Sequence, residues 1–99
     1  MWILHANQRI DAPEDLTAIL GAIKEAVASW RLYQVPSGHP AWDVDICTLD
    51  AYGPWPDYIS ASFVDERGRR FCLEVETYHG AGGAWTTIDG GAQHLRDVQ

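Results

Sequence analysis

Residues 11–33 carry one apolar stripe at helical spacing, and from Trp42 the apolar period falls to two. A chain patterned this way has a single helix with which to cover a sheet. The stripe runs through Leu16, Ile19, Leu20, Ile23, Val27 and Trp30, the i, i+3, i+4, i+7, i+11, i+14 series of an amphipathic helix. Glu14, Asp15, Lys24, Glu25 and Arg31 fall mostly off it. Asp11 reads as the N-cap, Pro13 suits the first turn, and Glu14 stands three residues after Asp11 as in a capping box. Val35, Pro36, Ser37, Gly38, His39 and Pro40 force a loop, so the helix is expected to end near Tyr33.

The strand signals follow. A short apolar strand is expected over residues 1–5. In residues 42–49, Trp42, Val44, Ile46 and Thr48 alternate with Asp43, Asp45, Cys47 and Leu49, which predicts a half-buried strand. Gly53, Pro54, Trp55 and Pro56 break it. Residues 58–64 then set Ile59, Ala61 and Phe63 against Ser60 and Ser62. Asp65, Glu66, Arg67 and Gly68 make a turn, after which Phe71, Leu73 and Val75 oppose Cys72, Glu74, Glu76 and Tyr78. This pair is the most secure hairpin in the chain. Gly80, Ala81, Gly82 and Gly83 separate it from a last strand over residues 84–88. Residues 89–99 are a loose polar tail or, over 92–98, a short helix. The expected fold is α+β: one N-terminal amphipathic helix on one face of a four- to five-stranded, mainly antiparallel sheet. The other face meets water.

The whole chain of 99 residues forms one domain. Five Trp, four Tyr and two Phe offset its small size, since each buried aromatic removes roughly 150–250 Å² from water. The longest apolar run, Met1 to Leu4, is four residues against the roughly 20 of a membrane span. No basic, apolar leader marks the chain for export, and two distant cysteines, Cys47 and Cys72, fit reduced thiols; the expected compartment is the cytoplasm.

Charge narrows the partners. The net charge is −7; residues 1–40 carry four acids and three bases, residues 41–99 ten acids and four bases. Direct nucleic-acid binding needs clustered Lys and Arg, and an anionic membrane repels such a chain, so neither is expected. A basic protein is the natural partner, unless the acidity serves solubility alone. Exposed edge strands also permit a homodimer.

Catalytic signals are weak. His5, His39, His79 and His94 are scattered, with no HExxH or CxxC, so no metal, cofactor or catalytic residue is expected. The glycines after Tyr78 and His79 precede a strand rather than a helix N-terminus, which argues against a phosphate cradle. A Cys72, His79 and Glu74 or Glu76 nucleophile fails because neighbouring acids raise a thiol's pKa. Trp55, between prolines and beside Asp57, and Trp85, after three glycines, are either lids on the core or rigid anchors for a partner. The expected partner surface comprises Asp43, Asp45, Trp55, Asp57, Glu74, Glu76, Tyr78, His79 and Trp85.

Three stretches within residues 10–88 carry a family resemblance. They are Asp11, Ala12, Pro13, Glu14, Asp15 and Leu16; Pro56, Asp57, Tyr58, Ile59 and Ser60; and the strand from Phe71 through Cys72, Leu73, Glu74, Val75, Glu76 and Thr77 to Tyr78. In these the chain resembles the small immunity proteins of bacterial polymorphic toxin systems. That resemblance implies a non-enzymatic inhibitor that occludes the basic active site of a cognate nuclease or deaminase toxin. A small acidic adaptor or inhibitor with a non-toxin partner is the alternative, and a minor enzyme a remote one.

Overall fold

The computed structural model describes residues 7–37, 43–78 and 80–87. The expected strand over residues 1–5, Trp42, His79, Ile88 and the tail lie outside them. Helix α1 spans Pro13–Ala28, and its stripe residues Leu16, Ile19, Leu20 and Ile23 are buried, together with Ala26. Its start differs from expectation by one residue. Pro13 takes the first helical position, which makes Ala12 the cap. Ala12 has no side-chain acceptor to offer the first turn; Asp15 reaches back instead, its carboxylate accepting from the N–H groups of Asp11 and Ala12 at 3.0 and 3.2 Å. Asp11 instead pairs with Arg9 across 3.0 Å of exposed surface.

The helix also stops earlier than its stripe. Ser29 is the C-cap, Trp30 N–H donates to Val27 O and Arg31 N–H to Ala26 O. These are the two bonds of a Schellman motif, which sets residue 30 in the left-handed region at φ 63°. Trp30 therefore leaves the core side and is exposed. Leu32 takes its place in the core, on a strand that helical spacing had hidden.

Strand β1 is Gln8–Ile10, β2 Leu32–Val35, β3 Tyr58–Asp65, β4 Arg70–Glu76 and β5 Gly82–Thr87. All neighbouring pairs are antiparallel, in the order β1-β5-β4-β3-β2. Helix α1 joins the two edge strands, so it must cross one face of the sheet, and it touches both edges and the Ile46–Thr48 turn. Among the described residues the chain is thus an α+β fold of one helix on a five-stranded antiparallel sheet. Beneath α1 lie Ile59, Ala61, Phe63, Phe71, Leu73, Val75 and Trp85. Trp85 stacks on Phe71 at 5.1 Å and 11°, with Phe63 tilted against it at 5.6 Å.

The β3–β4 hairpin forms as expected, closed by Asp65. Its carboxylate accepts from the backbone N–H of Arg67 and Arg69 and from Arg69 Nε, at 2.8–2.9 Å. Burial pushes this carboxyl up, but those donors and the Arg69 charge outweigh it and hold it below the ordinary aspartate range.

Residues 43–49 do not form the strand expected over 42–49. Asp43 makes one parallel bridge to Ser60, and Ile46–Thr48 is a 3₁₀ turn. Side chains take over the backbone groups a ladder would use. Gln34 Nε2 donates to Val44 O at 2.7 Å while its Oε1 accepts from Ile46 N at 2.9 Å. Asp45 caps the turn through Cys47 N–H at 3.0 Å. Such local side-chain bonds compete directly with strand pairing. Of the expected inward set, Ile46 is buried and Val44 packs at the edge of the core, while Leu49, expected on the other side, is buried as well.

Gly82 and Gly83 are not a separator; they open β5. A Cβ at Gly83 would stand 2.0 Å from Glu74 O and 2.7 Å from Val75 Cα, so no side chain fits where β5 meets β4.

Candidate protein-binding face

The pairing register lays out the sheet face opposite α1. Tyr33, Val64 and Arg70 form one row across the strands; Val35, Ser62, Cys72 and Thr86 form the next. Ser60, Glu74, Ala84 and Arg9 make a third row, and Tyr58, Glu76 and Gly82 a fourth. Successive rows stand about 6.6 Å apart along the strands. In the middle rows Ser60, Ser62, Cys72, Ala84 and Thr86 are short, and Ser60 and Ser62 are 6% and 8% exposed, set below longer neighbours such as Tyr58 and Glu74. Tyr33, Tyr58, Arg70, Glu74 and Thr86 are exposed. The face is a shallow trough across the strands. Tyr33 and Arg70 flank it at the end near the β3–β4 turn; Tyr58 and Glu76 flank it at the opposite end.

The acids crowd one half of this trough. Glu74 and Glu76, two residues apart on β4, point the same way. Their field is felt by their neighbours. Burial pushes the Cys72 thiol up, and Glu74 and Asp43 push it further, against a hydrogen bond with Ser62. Burial likewise raises the Tyr58 hydroxyl, with Glu74 next in effect. A thiol held this way stays protonated at neutral pH, which suits a contact surface and not a nucleophile.

The expected partner residues divide sharply. Glu74 is exposed and Glu76 half-buried on the open face. Asp57 is exposed just before β3, where its carbonyl accepts from Thr77 N–H at 2.8 Å, and Tyr78 follows β4 with 67% of its surface exposed. These four gather at the acidic end. Asp43 is diverted: its two oxygens accept from Ser37 N–H at 3.0 Å and Ser37 Oγ at 2.6 Å. Asp45 is exposed but serves the 3₁₀ turn as its cap. Trp55 is a lid, half-buried against the core with its indole N–H on Asp50 O at 3.0 Å. Trp85 is wholly buried, and assigning it to a partner surface is corrected by its place in the aromatic stack. Its alternation with Ala84 and Thr86 marked it as inward-facing; the preceding glycines suggested a loop. His79 lies outside the described residues.

Sequence reasoning missed Tyr33, Val35 and Arg70 on this face. The first two sit on β2, and the signal was available, since Leu32, Tyr33, Gln34 and Val35 alternate with strand-favouring residues. Beside β2, an open cleft of about 460 Å³ is lined by Gln34, Val35, Pro36, Asp43, Val44 and Asp45. Among the described residues no group of three or more His, Cys, Asp or Glu could hold a metal ion, and no helix is long and apolar enough to cross a membrane. No protein-family model, curated protein or solved structure matches the chain.

Proposed function

We propose that this chain is an immunity protein, acting by binding and not by catalysis, whose open sheet face occludes the basic active-site cleft of a cognate nuclease or deaminase toxin. The observation that carries the reading is the pairing of Glu76 with Tyr58, beside Glu74, on a face the core does not use, with Asp57 and Tyr78 exposed at the same end of the sheet. Carboxylates at phosphate-like positions steer a basic cleft toward the face and speed encounter. Tyrosine rings supply rigid contact area beside them. Cys47 and Cys72 are both free thiols, in keeping with action in the reducing cytoplasm. A basic partner that is not a toxin would leave the face assignment intact and change only the class of target.

Tagged protein recovered from its host at low salt is expected to bring down one basic partner, released as salt rises. The Glu74→Lys/Glu76→Lys variant is expected to lose that partner while remaining folded, with a stability loss of about 1 kcal/mol or less. Undiminished capture by the variant would place the contact elsewhere. Recovery of the wild-type protein alone would count against an inhibitor of any kind.

A further inference from the structure

The end of the sheet near the β3–β4 turn has a different chemistry. The Schellman turn that closes α1 puts residue 30 at φ 63°, a conformation that ordinarily selects glycine. Here it is tryptophan, with 73% of its surface exposed. Its ring centroid lies 6.4 Å from that of Tyr33, itself 42% exposed. Folding does not ask for this pair. Glycine would relieve the backbone, and a polar residue would relieve the exposed ring. A strained residue that also shows a large apolar surface to water points to a use outside the fold.

The surroundings are cationic. Of the six arginines in the chain, four stand here: Arg31 beside Trp30, and Arg67, Arg69 and Arg70 in and after the turn that pairing brings next to Leu32. Tyr33 adjoins Val64, which adjoins Arg70, so the rings continue onto the open face. Nearby Asp65 is tied to Arg69 and the turn amides, which leaves exposed Glu66 as the one acid of the turn against Arg31, Arg67 and Arg70. Exposed Trp and Tyr ringed by arginine is the composition of a protein-binding hot spot.

We propose that Trp30 and Tyr33, with Arg31, Arg67 and Arg70, form a second docking surface that takes an acidic segment of a protein partner. Apolar side chains of the segment cover the two rings, and its carboxylates meet the arginines. A polyanionic nucleic acid is disfavoured, because beyond this row it would run onto Glu74 and Glu76. A second copy is opposed by the net charge of −7 that each molecule carries. The surface is independent of the acidic end and stands or falls separately from the immunity reading.

The decisive variant is Trp30→Gly, which removes the ring while supplying the residue the left-handed turn prefers. A fluorescently labelled short peptide alternating glutamate and leucine is the probe, titrated into the full chain by anisotropy. A lysine-leucine peptide and oligothymidylate are the controls. Saturable binding of the acidic peptide is expected, weakening with salt. It should fall about tenfold or more in Trp30→Gly, with a melting temperature equal to or above the parent's, and fall again in Arg67→Ser/Arg70→Ser. The Glu74→Lys/Glu76→Lys protein should bind the peptide at least as well as the parent, which separates the two surfaces. The proposal is overturned by any of four results. These are no saturable binding of the acidic peptide, equal binding by Trp30→Gly, Trp30-dependent binding of oligothymidylate, or unfolding of Trp30→Gly, which would make the ring structural. Self-association of the parent abolished by the same variant would assign the surface to a second copy and likewise overturn it.

Discussion

Strands β3, β4 and β5 present two faces made from alternate residues of the same segments, and the two could hardly differ more. On one, Ile59, Phe63, Phe71, Leu73, Val75 and Trp85 are nearly or wholly buried beneath α1. On the other, Tyr58, Val64, Arg70, Cys72, Glu74 and Glu76 surround the short side chains of Ser60 and Ser62. The first face is answerable to packing, where a lost methylene costs about 1 kcal/mol. The second meets no such demand, so the placing of Glu74 and Glu76 toward one end and of Arg70 with Tyr33 toward the other is not a by-product of folding. That is why the open face carries the functional argument.

The contrast can be broken or sharpened experimentally. Trp85→Ala should be the most damaging change. Removing the ring that joins Phe63 and Phe71 should cost about 3–5 kcal/mol, measured by chemical denaturation, most of the stability of a domain this size. A small loss would mean that the aromatic stack is not the centre of the core. Gly83→Ala comes next, at about 2–3 kcal/mol, because its methyl group would strike the backbone of β4. Gln34→Ala should cost about 1–3 kcal/mol by leaving Val44 O and Ile46 N–H without their partner, and should loosen residues 43–48 in hydrogen exchange.

Asp65, where the core face runs out, gives a smaller and pH-dependent effect. Its folded pKa lies below its unfolded value of about 3.9, so its contribution to stability is complete above that value. It is lost as pH falls through the lower folded value. Acid denaturation of Asp65→Asn should lack this component, and a curve unchanged from the parent's would show that the turn contributes nothing. Smallest is the effect on Cys72. Alkylation should reach exposed Cys47 first, and Glu74→Gln should speed modification of Cys72 a few-fold by lifting one negative charge from its thiol. Faster labelling of Cys72 than of Cys47 in the parent would reopen the nucleophile reading.

The elements legible in the sequence were those whose partners lie nearby along the chain. The β3–β4 hairpin could be read because Asp65 and Gly68 supply their own turn and the flanking residues alternate cleanly. The body of α1 could be read because one stripe decides it. Residues 42–49 alternate just as cleanly, yet 43–49 are not a strand, because Gln34, ten residues away from Val44, occupies the backbone groups a ladder needs. Trp30 fits the stripe and yet lies outside it, because the helix closes at Ser29 and turns the next residue outward. Of the expected partner surface, Glu74 and Glu76 share the open face, and Asp57 and Tyr78 are exposed at the same end of the sheet. Asp43 and Asp45 are drawn into the loop, and Trp85 belongs to the core.

By itself the sequence determined one helix, a principal hairpin, an α+β class and an excess of acid after residue 40, since periodicity, turn residues and charge are properties of short segments. Only the tertiary structure decided which strands form the edges and which acids remain on the surface. It also turned a charge imbalance along the chain into two opposed ends of one face. The physical reason is that antiparallel pairing folds distant segments end to end: Leu32 is set beside Asp65 at the β3–β4 turn and Tyr58 beside Glu76, neighbours that no local pattern contains.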